Sequence, residues 1–285
     1  MTGSGTRCVA AVIGHPVAHS LSPRIHNHWL AAAGIDGCYR AIDVPPDRLG
    51  EAVAALRADG LQGWNVTVPH KTAILPLMDR LSPAARTMGA VNTVLCKADG
   101  TLSGFNTDGI GFLKHLNATV PHWPKDRAAL VIGAGGAARA AAAALIDTDI
   151  PFLMLANRTE EKARGLAADI GRQRITTVAW DALSSAVTAA GLIVNTTTLG
   201  MTGQPPLPLD LSAAAPDCVV YDIVYAPLET PLLRDAAARG LAVVDGLGML
   251  VHQAAAAFEL WFGAAPVYDD ALKSVLKSDL HKALA

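Results

Sequence analysis

Residues 129–139 read Ala129-Leu130-Val131-Ile132-Gly133-Ala134-Gly135-Gly136-Ala137-Ala138-Arg139. Four apolar residues make a short strand, a glycine-rich turn follows, and an alanine-rich helix opens after it. Gly133-x-Gly135-x-x-Ala138 at such a junction is the pattern of a dinucleotide-binding turn. Gly133 permits the tight turn. Gly135 lets backbone N–H groups approach a pyrophosphate, and Ala138 still allows the helix to pack closely on the strand. Gly136 and Ala137 lie where the helix offers N–H groups and partial positive charge to the phosphates. Taken alone, the same residues also fit a plain strand–helix turn.

The next candidate strand, Phe152–Ala156, ends in Asn157-Arg158-Thr159. A site for NAD wants Asp or Glu ~20 residues beyond the glycines, bonded to the ribose 2′-hydroxyl. No carboxylate stands at this tip. Arg158 can pair with a 2′-phosphate, and Asn157 and Thr159 can donate hydrogen bonds. The tip therefore predicts NADP in preference to NAD. Glu160 and Glu161 suit the first turn of the following helix. Arg158 by itself is equally a solvated surface arginine.

Outward from this turn the same alternation continues. Ile175–Val178, Leu192–Asn195, Val219–Asp222 and Ala242–Val244 read as strands with helices between them. Residues 8–13 form a first strand, and Ser22-Pro23 opens a helix with Ser22 as N-cap, ended by Gly34. Tyr39–Val44 and Trp64–Val68 follow as strands, with a helix between them running from Pro45-Pro46 to near Gly60. Pro69 starts another helix, with Lys71 in its first turn. Ala90–Cys96 and Thr101–Phe105 read as a hairpin around Asp99-Gly100. Asn117–Arg127, with two prolines and no period, reads as a domain junction. Gly248–Phe262 and Asp269–Lys282 read as closing helices. The whole is α/β, with mostly parallel sheets.

The 285 residues suggest about two domains. Hydrophobic residues at 51% and charged residues at 17% exclude intrinsic disorder. A net charge of -2 argues against nucleic acid or an anionic membrane as the main partner. Aromatics at 5% argue against base-stacking platforms. No apolar run reaches the ~18 residues of a membrane span, and the start reads as a strand, not a signal peptide. Cys8, Cys38, Cys96 and Cys218 form no Cys-x-x-Cys pair, which points to reduced thiols in a cytoplasmic protein. His15 and His19 share no spacing with acidic or cysteine partners, so no metal site is expected.

The first half gathers small polar residues at element ends. Ser20 and Ser22 flank a helix start where a carboxylate can be held, although Ser22 alone reads as a cap. In Trp64-Asn65-Val66-Thr67-Val68-Pro69-His70-Lys71 a lysine sits in a first helical turn, against the dipole. Such a local conflict often marks function, and the dipole and desolvation would lower its pKa. Asp108, in Asn106-Thr107-Asp108-Gly109, is by itself as much a cap as a catalytic group.

Together these stretches resemble the shikimate dehydrogenase family. The resemblance rests on Gly14–Pro23, Asn65–Lys71, Gly89–Thr93, Asn106–Gly109, Gly133–Arg139, Asn157–Thr159, Asn195–Met201, Asp222–Tyr225 and Asp245–Ala255, in the family's order. It implies a Rossmann NADP-binding domain, residues 109–248. It also implies a discontinuous α/β substrate domain, residues 1–108 and 249–285, with a central mostly parallel sheet and a cleft between the domains. The activity implied is NADPH-dependent reduction of 3-dehydroshikimate to shikimate, by a monomer or homodimer acting on a small molecule.

The family's acid–base pair falls on Lys71 and Asp108. Its carboxylate contacts fall on Ser20 and Ser22, with Tyr225 nearby, and its hydroxyl contacts on Thr67, Lys71, Asn92, Asp108 and Gln253. Asn195, Thr196, Gly246 and Met249 fall at the nicotinamide end. The proline-rich loop Leu199–Pro208 departs from the family and reads as stiff. Two other readings stand beside this one: a quinate/shikimate dehydrogenase using NAD, and a non-catalytic NADP-binding regulatory module.

Overall fold

A computed structural model describes residues 7–171 and 174–284. The chain divides into two units. One takes the residues up to Thr107 together with Gln253–Asp279. The other takes Asp108–His252 together with the segment from Leu280 onward.

The first unit begins β1 (Cys8–Gly14), α1 (Ser22–Ala32), β2 (Cys38–Asp43), α2 (Leu49–Ala58), β3 (Gly63–Val66) and α3 (His70–Ala73). It continues with β4 (Arg80–Leu81), α4 (Pro83–Met88), β5 (Thr93–Cys96) and β6 (Leu102–Phe105). The six strands form one sheet in the order β2-β1-β3-β5-β6-β4. Pairing is parallel from β2 through β1 to β3, antiparallel through β5 to β6, and parallel again at β4. The sheet is therefore mixed, because β5 and β6 make the expected hairpin. Gly100, with φ +81°, supplies its turn.

Helix α1 buries Ile25, His26, Trp29 and Leu30 on one face. Its start differs from the sequence reading. Leu21 holds the N-cap position, Ser22 is the first helical residue, and Ser20 Oγ accepts from the Ser22 N–H at 3.2 Å. The N-cap position makes no side-chain cap bond, and Pro23 sits inside the first turn. Helix α3 is a single turn of four residues. That length makes its dipole a short one.

The second unit contains α5 (Asp108–Thr119), β7 (Ala128–Ile132), α6 (Gly136–Ile146), β8 (Leu153–Ala156), α7 (Glu160–Ile170) and β9 (Ile175–Val178). It continues with α8 (Leu183–Ala189), β10 (Ala190–Asn195), β11 (Val219–Asp222), α9 (Pro231–Ala238) and β12 (Ala242–Val244). Two further helices close the chain, α10 (Leu247–Phe262) and α11 (Asp270–Leu284). The sheet is wholly parallel, in the order β12-β11-β10-β7-β8-β9. Strand order reverses between β7 and β10, which is where doubly wound sheets bind ligands.

Alternation along β7 explains the two faces. Ala129 and Val131 join the core under α5, α6 and α7, with Leu153, Leu155 and Val194. Ala128, Leu130 and Ile132 join the core under α8 and α9, with Ile193 and Val220. Successive side chains point to opposite faces, so a strand covered on both sides must be apolar throughout.

The junction expected at Asn117–Arg127 lies inside this unit. Helix α5 runs through Thr119, and Trp123 is buried beside Phe112 and Leu116. The Trp123 indole N–H donates to Asn117 Oδ1 at 2.9 Å. The prolines mark a packed connection there. Among the described residues no helix is long and apolar enough to cross a membrane.

Candidate active site

The turn after β7 is shaped by Thr196. Gly133 has φ +124°, and a Cβ there would land on the Thr196 hydroxyl. That hydroxyl donates to Ile132 O at 2.7 Å, and Thr196 N donates to the same oxygen at 2.8 Å. Gly133 N donates across to Ala156 O at 2.7 Å. Gly135 is the N-cap of α6, and nothing lies within 4 Å of a Cβ built at Gly135 or Gly136. Both are exposed, Ala137 is half-buried, and Ala138 is fully buried. Bare backbone at a helix N-terminus is what a pyrophosphate requires. Arg139 turns away to pair with Asp169.

Asn157, Arg158 and Thr159 stand at the tip of β8. Asn157 Nδ2 donates to Thr159 O at 2.8 Å and braces the tip. Arg158 and Thr159 are exposed. The nearest carboxylate in sequence, Glu160, is taken by Arg164 at 2.7 Å. The tip thus offers a cation and hydroxyl to a 2′-phosphate, and the residue set fits NADP.

Beyond β10 the Asn195 amide is fully engaged. Its Nδ2 donates to Leu199 O and to Asp222 Oδ1, both at 3.0 Å. Its Oδ1 accepts from Thr197 N at 3.0 Å and from Thr197 Oγ1 at 2.7 Å. Asn195 therefore acts by holding the loop. Asp222 completes the knot by accepting from Val224 N and Thr230 Oγ1. Burial raises the Asp222 carboxyl above its ordinary range, and the Thr230, Val224 and Asn195 hydrogen bonds oppose that rise. Gly200, with φ +90°, donates to Pro205 O at 2.8 Å, so the proline-rich loop folds back on itself.

Asp245 Oδ1 accepts from Leu247 N at 2.9 Å and caps α10. A Cβ at Gly246 would strike the carbonyl of Ile223, and one at Gly248 would strike the His115 ring. His115 Nδ1 lies 3.0 Å from the Tyr221 hydroxyl. Met249 and Tyr225 are both half-buried, and burial raises the Tyr225 phenol.

In the other unit, Thr67 N donates to Ile13 O at 2.9 Å and His70 N to Thr67 O at 2.9 Å. Gly14 lies against the Thr67 side chain with no room for a Cβ. Lys71 is half-buried; its carbonyl accepts from Val91 N at 2.8 Å, which ties it to the strand that follows. His70 is buried and its Nε2–H donates to Val44 O at 2.6 Å, fixing the turn beneath Lys71.

Asn92 lies in a buried polar chain. Tyr39 Oη donates to Asn65 Oδ1 at 2.7 Å, and Asn65 Nδ2 donates to Thr93 Oγ1 at 3.1 Å. Thr93 Oγ1 and Thr107 N each donate to Asn92 Oδ1 at 2.9 Å. Asn92 Nδ2 then faces Thr107 Oγ1 at 2.9 Å and Gln253 Oε1 at 3.4 Å.

Three family profiles match the chain. "Shikimate dehydrogenase substrate binding domain" covers residues 12–94. "Shikimate / quinate 5-dehydrogenase" covers 118–200, and "Shikimate 5'-dehydrogenase C-terminal domain" covers 246–276. The chain is 53% identical to the shikimate dehydrogenase (NADP(+)) of Rhodospirillum rubrum, over 96% of this chain and 98% of that protein. It is 51% identical to that of Paramagnetospirillum magneticum, over 96% and 100%.

The chain belongs to the shikimate dehydrogenase family.

Solved members share its fold. Shikimate 5-dehydrogenase from Thermus thermophilus, in complex with NADP(H) and shikimate, matches at 40% identity and TM-score 0.83, over 96% of this chain and 98% of that one. Quinate dehydrogenase from Corynebacterium glutamicum, in complex with NAD, matches at 33% identity and TM-score 0.89, over 95% and 99%.

Within this family member the structure joins Asn92 to Gln253 and Ser20 to Ser22. Asp108 and Tyr225 belong to the other unit from Lys71. The sequence reading missed His115 and the load carried by Asp222, Thr93 and Thr107. Asp222 had a visible signal, an acidic residue ending an apolar strand. His115 had none, since it sits on α5 far in sequence from the turn it touches. His15 bonds Asp43 at 2.8 Å on an exposed edge, a pair the sequence spacing did not signal. Among the described residues no three of His, Cys, Asp and Glu converge as metal ligands.

Proposed function

We propose that this chain catalyses the reversible NADPH-dependent reduction of 3-dehydroshikimate to shikimate, a step of aromatic amino-acid biosynthesis. The observation that carries the cofactor choice is the tip of β8. Arg158 stands exposed there, and the tip residues Asn157, Arg158 and Thr159 include no carboxylate.

NADPH supplies the hydride when bound. Gly133, Gly135, Gly136 and Ala137 cradle its pyrophosphate, and Asn157, Arg158 and Thr159 hold its 2′-phosphate. Asn195, Thr196, Gly246 and Met249 form the nicotinamide end. Ser20, Ser22 and Tyr225 bind the substrate carboxylate, and Thr67, Asn92 and Gln253 bind its hydroxyls. Lys71 gives its proton to the carbonyl oxygen as that oxygen becomes an alkoxide, and takes it back in reverse. Asp108 accepts from a substrate hydroxyl and orients the substrate whose carbonyl oxygen Lys71 protonates. The enzyme works in the cytoplasm as a monomer or homodimer, and its small net charge suits a small-molecule substrate alone.

The test is absorbance at 340 nm with shikimate or quinate, each with NADP or NAD. A strong rate with shikimate and NADP only is expected. Comparable turnover of quinate with NAD would overturn the substrate and cofactor assignments. That second reading is favoured by the backbone likeness to the quinate dehydrogenase bound to NAD. It is opposed by the missing carboxylate at β8.

A further inference from the structure

We propose that His115 is a positioning residue for the nicotinamide end of the site, acting as a wedge beneath Gly248. The proposal rests on the reading that Gly246 and Met249 form that end.

The turn Asp245–Met249 is pressed from two sides. Backbone of Ile223 and Val224 leaves no space for a Cβ at Gly246. The His115 ring leaves none at Gly248, since its Cδ2, Nε2 and Cε1 all crowd the Cβ position. Two glycines in three residues are thereby explained by contact and not by backbone angle, because neither has a positive φ. Ordinary helices disfavour glycine by about 1 kcal/mol against alanine. Glycine in the first turn of α10 is therefore a concession to the ring.

The ring is itself fixed. Its Nδ1 is 3.0 Å from Tyr221 Oη, and the two rings meet edge to face at 5.6 Å. Tyr221 is fully buried in β11 and stacks on Phe112, at 4.8 Å, one turn before His115 on α5. Helix α5 and strand β11 thus hold the wedge, and the wedge holds the turn. Asp245 caps α10 from the same turn, and its charge acts on both His115 and Tyr221. The His252 ring lies 5.9 Å away on the next turn of α10. Burial keeps His115 neutral down to about pH 4, so the wedge carries no charge under working conditions. It sets where Gly246 and Met249 sit and contacts no reacting atom.

The test is a double-mutant cycle on the full-length enzyme with His115→Ala, Gly248→Ala and both together. Steady-state KM for NADPH, KM for 3-dehydroshikimate and Tm are measured for each. His115→Ala is expected to raise KM for NADPH roughly threefold to tenfold, with KM for the substrate within about twofold. Gly248→Ala is expected to raise it more, because its methyl meets the ring. The double variant is expected to be no worse than His115→Ala alone, since the methyl then enters vacated space. If Gly248→Ala does not fold, recovery of folded protein on adding His115→Ala reads the same coupling. Effects that multiply independently in both KM and Tm would overturn the wedge. Coupling in Tm with an unmoved KM for NADPH would overturn the proposal through the assignment of this turn to the nicotinamide.

Discussion

The Thr196 hydroxyl occupies the space that a side chain at Gly133 would need, while donating to Ile132 O at 2.7 Å. The first glycine of the dinucleotide turn is thus set by a residue more than sixty positions later, just past the end of the neighbouring strand β10. Gly133→Ala must both adopt a φ of +124° and displace that hydroxyl. The strain is on the order of 1–3 kcal/mol. NADPH affinity, read by fluorescence titration, is expected to fall at least about tenfold. An unchanged affinity would separate this turn from cofactor binding.

Arg158 carries the choice of cofactor. A charge-assisted hydrogen bond to phosphate is worth about 1.5–3 kcal/mol. Arg158→Ala should lower kcat/KM with NADP by roughly tenfold to a hundredfold and leave the rate with NAD within about twofold. Equal losses with both cofactors would remove the 2′-phosphate role.

Lys71 carries the proton. General acid catalysis contributes about 10²–10⁴-fold, so Lys71→Ala should lower kcat by that much while KM for shikimate shifts far less. Near-normal turnover would assign the proton to another group.

Thr93 passes order from Asn65 to Asn92. Thr93→Val removes the hydroxyl, leaves Asn65 Nδ2 facing a methyl and strips one donor from Asn92 Oδ1. An unsatisfied buried polar group costs about 1–3 kcal/mol. KM for shikimate is expected to rise severalfold with NADPH affinity unmoved, and Thr93→Ser should recover most of the loss. If serine and valine behave alike, the hydroxyl is not what matters.

Two buried histidines make stability depend on pH. Burial lowers His26 to about 3 and His115 to about 4, both from 6.5. Between pH 6.5 and those values the unfolded chain binds protons that the folded chain does not. Stability therefore falls as pH drops below 6.5, by at most ~1.4 kcal/mol per pH unit per histidine. Urea midpoints at pH 7.5, 6.5, 5.5 and 4.5 should decline across the last three. A flat profile would show that neither ring is held neutral.

Much of this was legible because the physics is local. The strand–turn–helix at Ala129–Arg139 and the hairpin at Asp99-Gly100 follow from nearest neighbours and turn chemistry. What escaped depends on residues distant in sequence. Nothing near Gly248 signals that His115 lies against it, and nothing near Asn117 signals that Trp123 is packed inside a unit. The length of α3 also escaped, because Pro69 and Lys71 mark where a helix begins and not where it stops. Ser22 falls inside α1 and not at its cap, because the first turn begins one residue earlier than Ser22-Pro23 suggests.

The first unit takes its chain from both sides of the second. Trp29 of α1 donates to Val267 O, and Trp261 of α10 donates to Val94 O, each at 2.9 Å. His26 stacks among Tyr39, Phe258 and Trp261. On the ribosome, residues up to Thr107 emerge first, and the partners Val267, Phe258 and Trp261 emerge only after about 145 more residues. At ~5–20 residues per second that delay is roughly 7–30 s. Throughout it the aromatic face built on His26 and Trp29 lacks those partners, while residues 108–252 are themselves being made. Translation speed across those residues therefore sets how long the newborn chain offers that face to chaperones and to its neighbours.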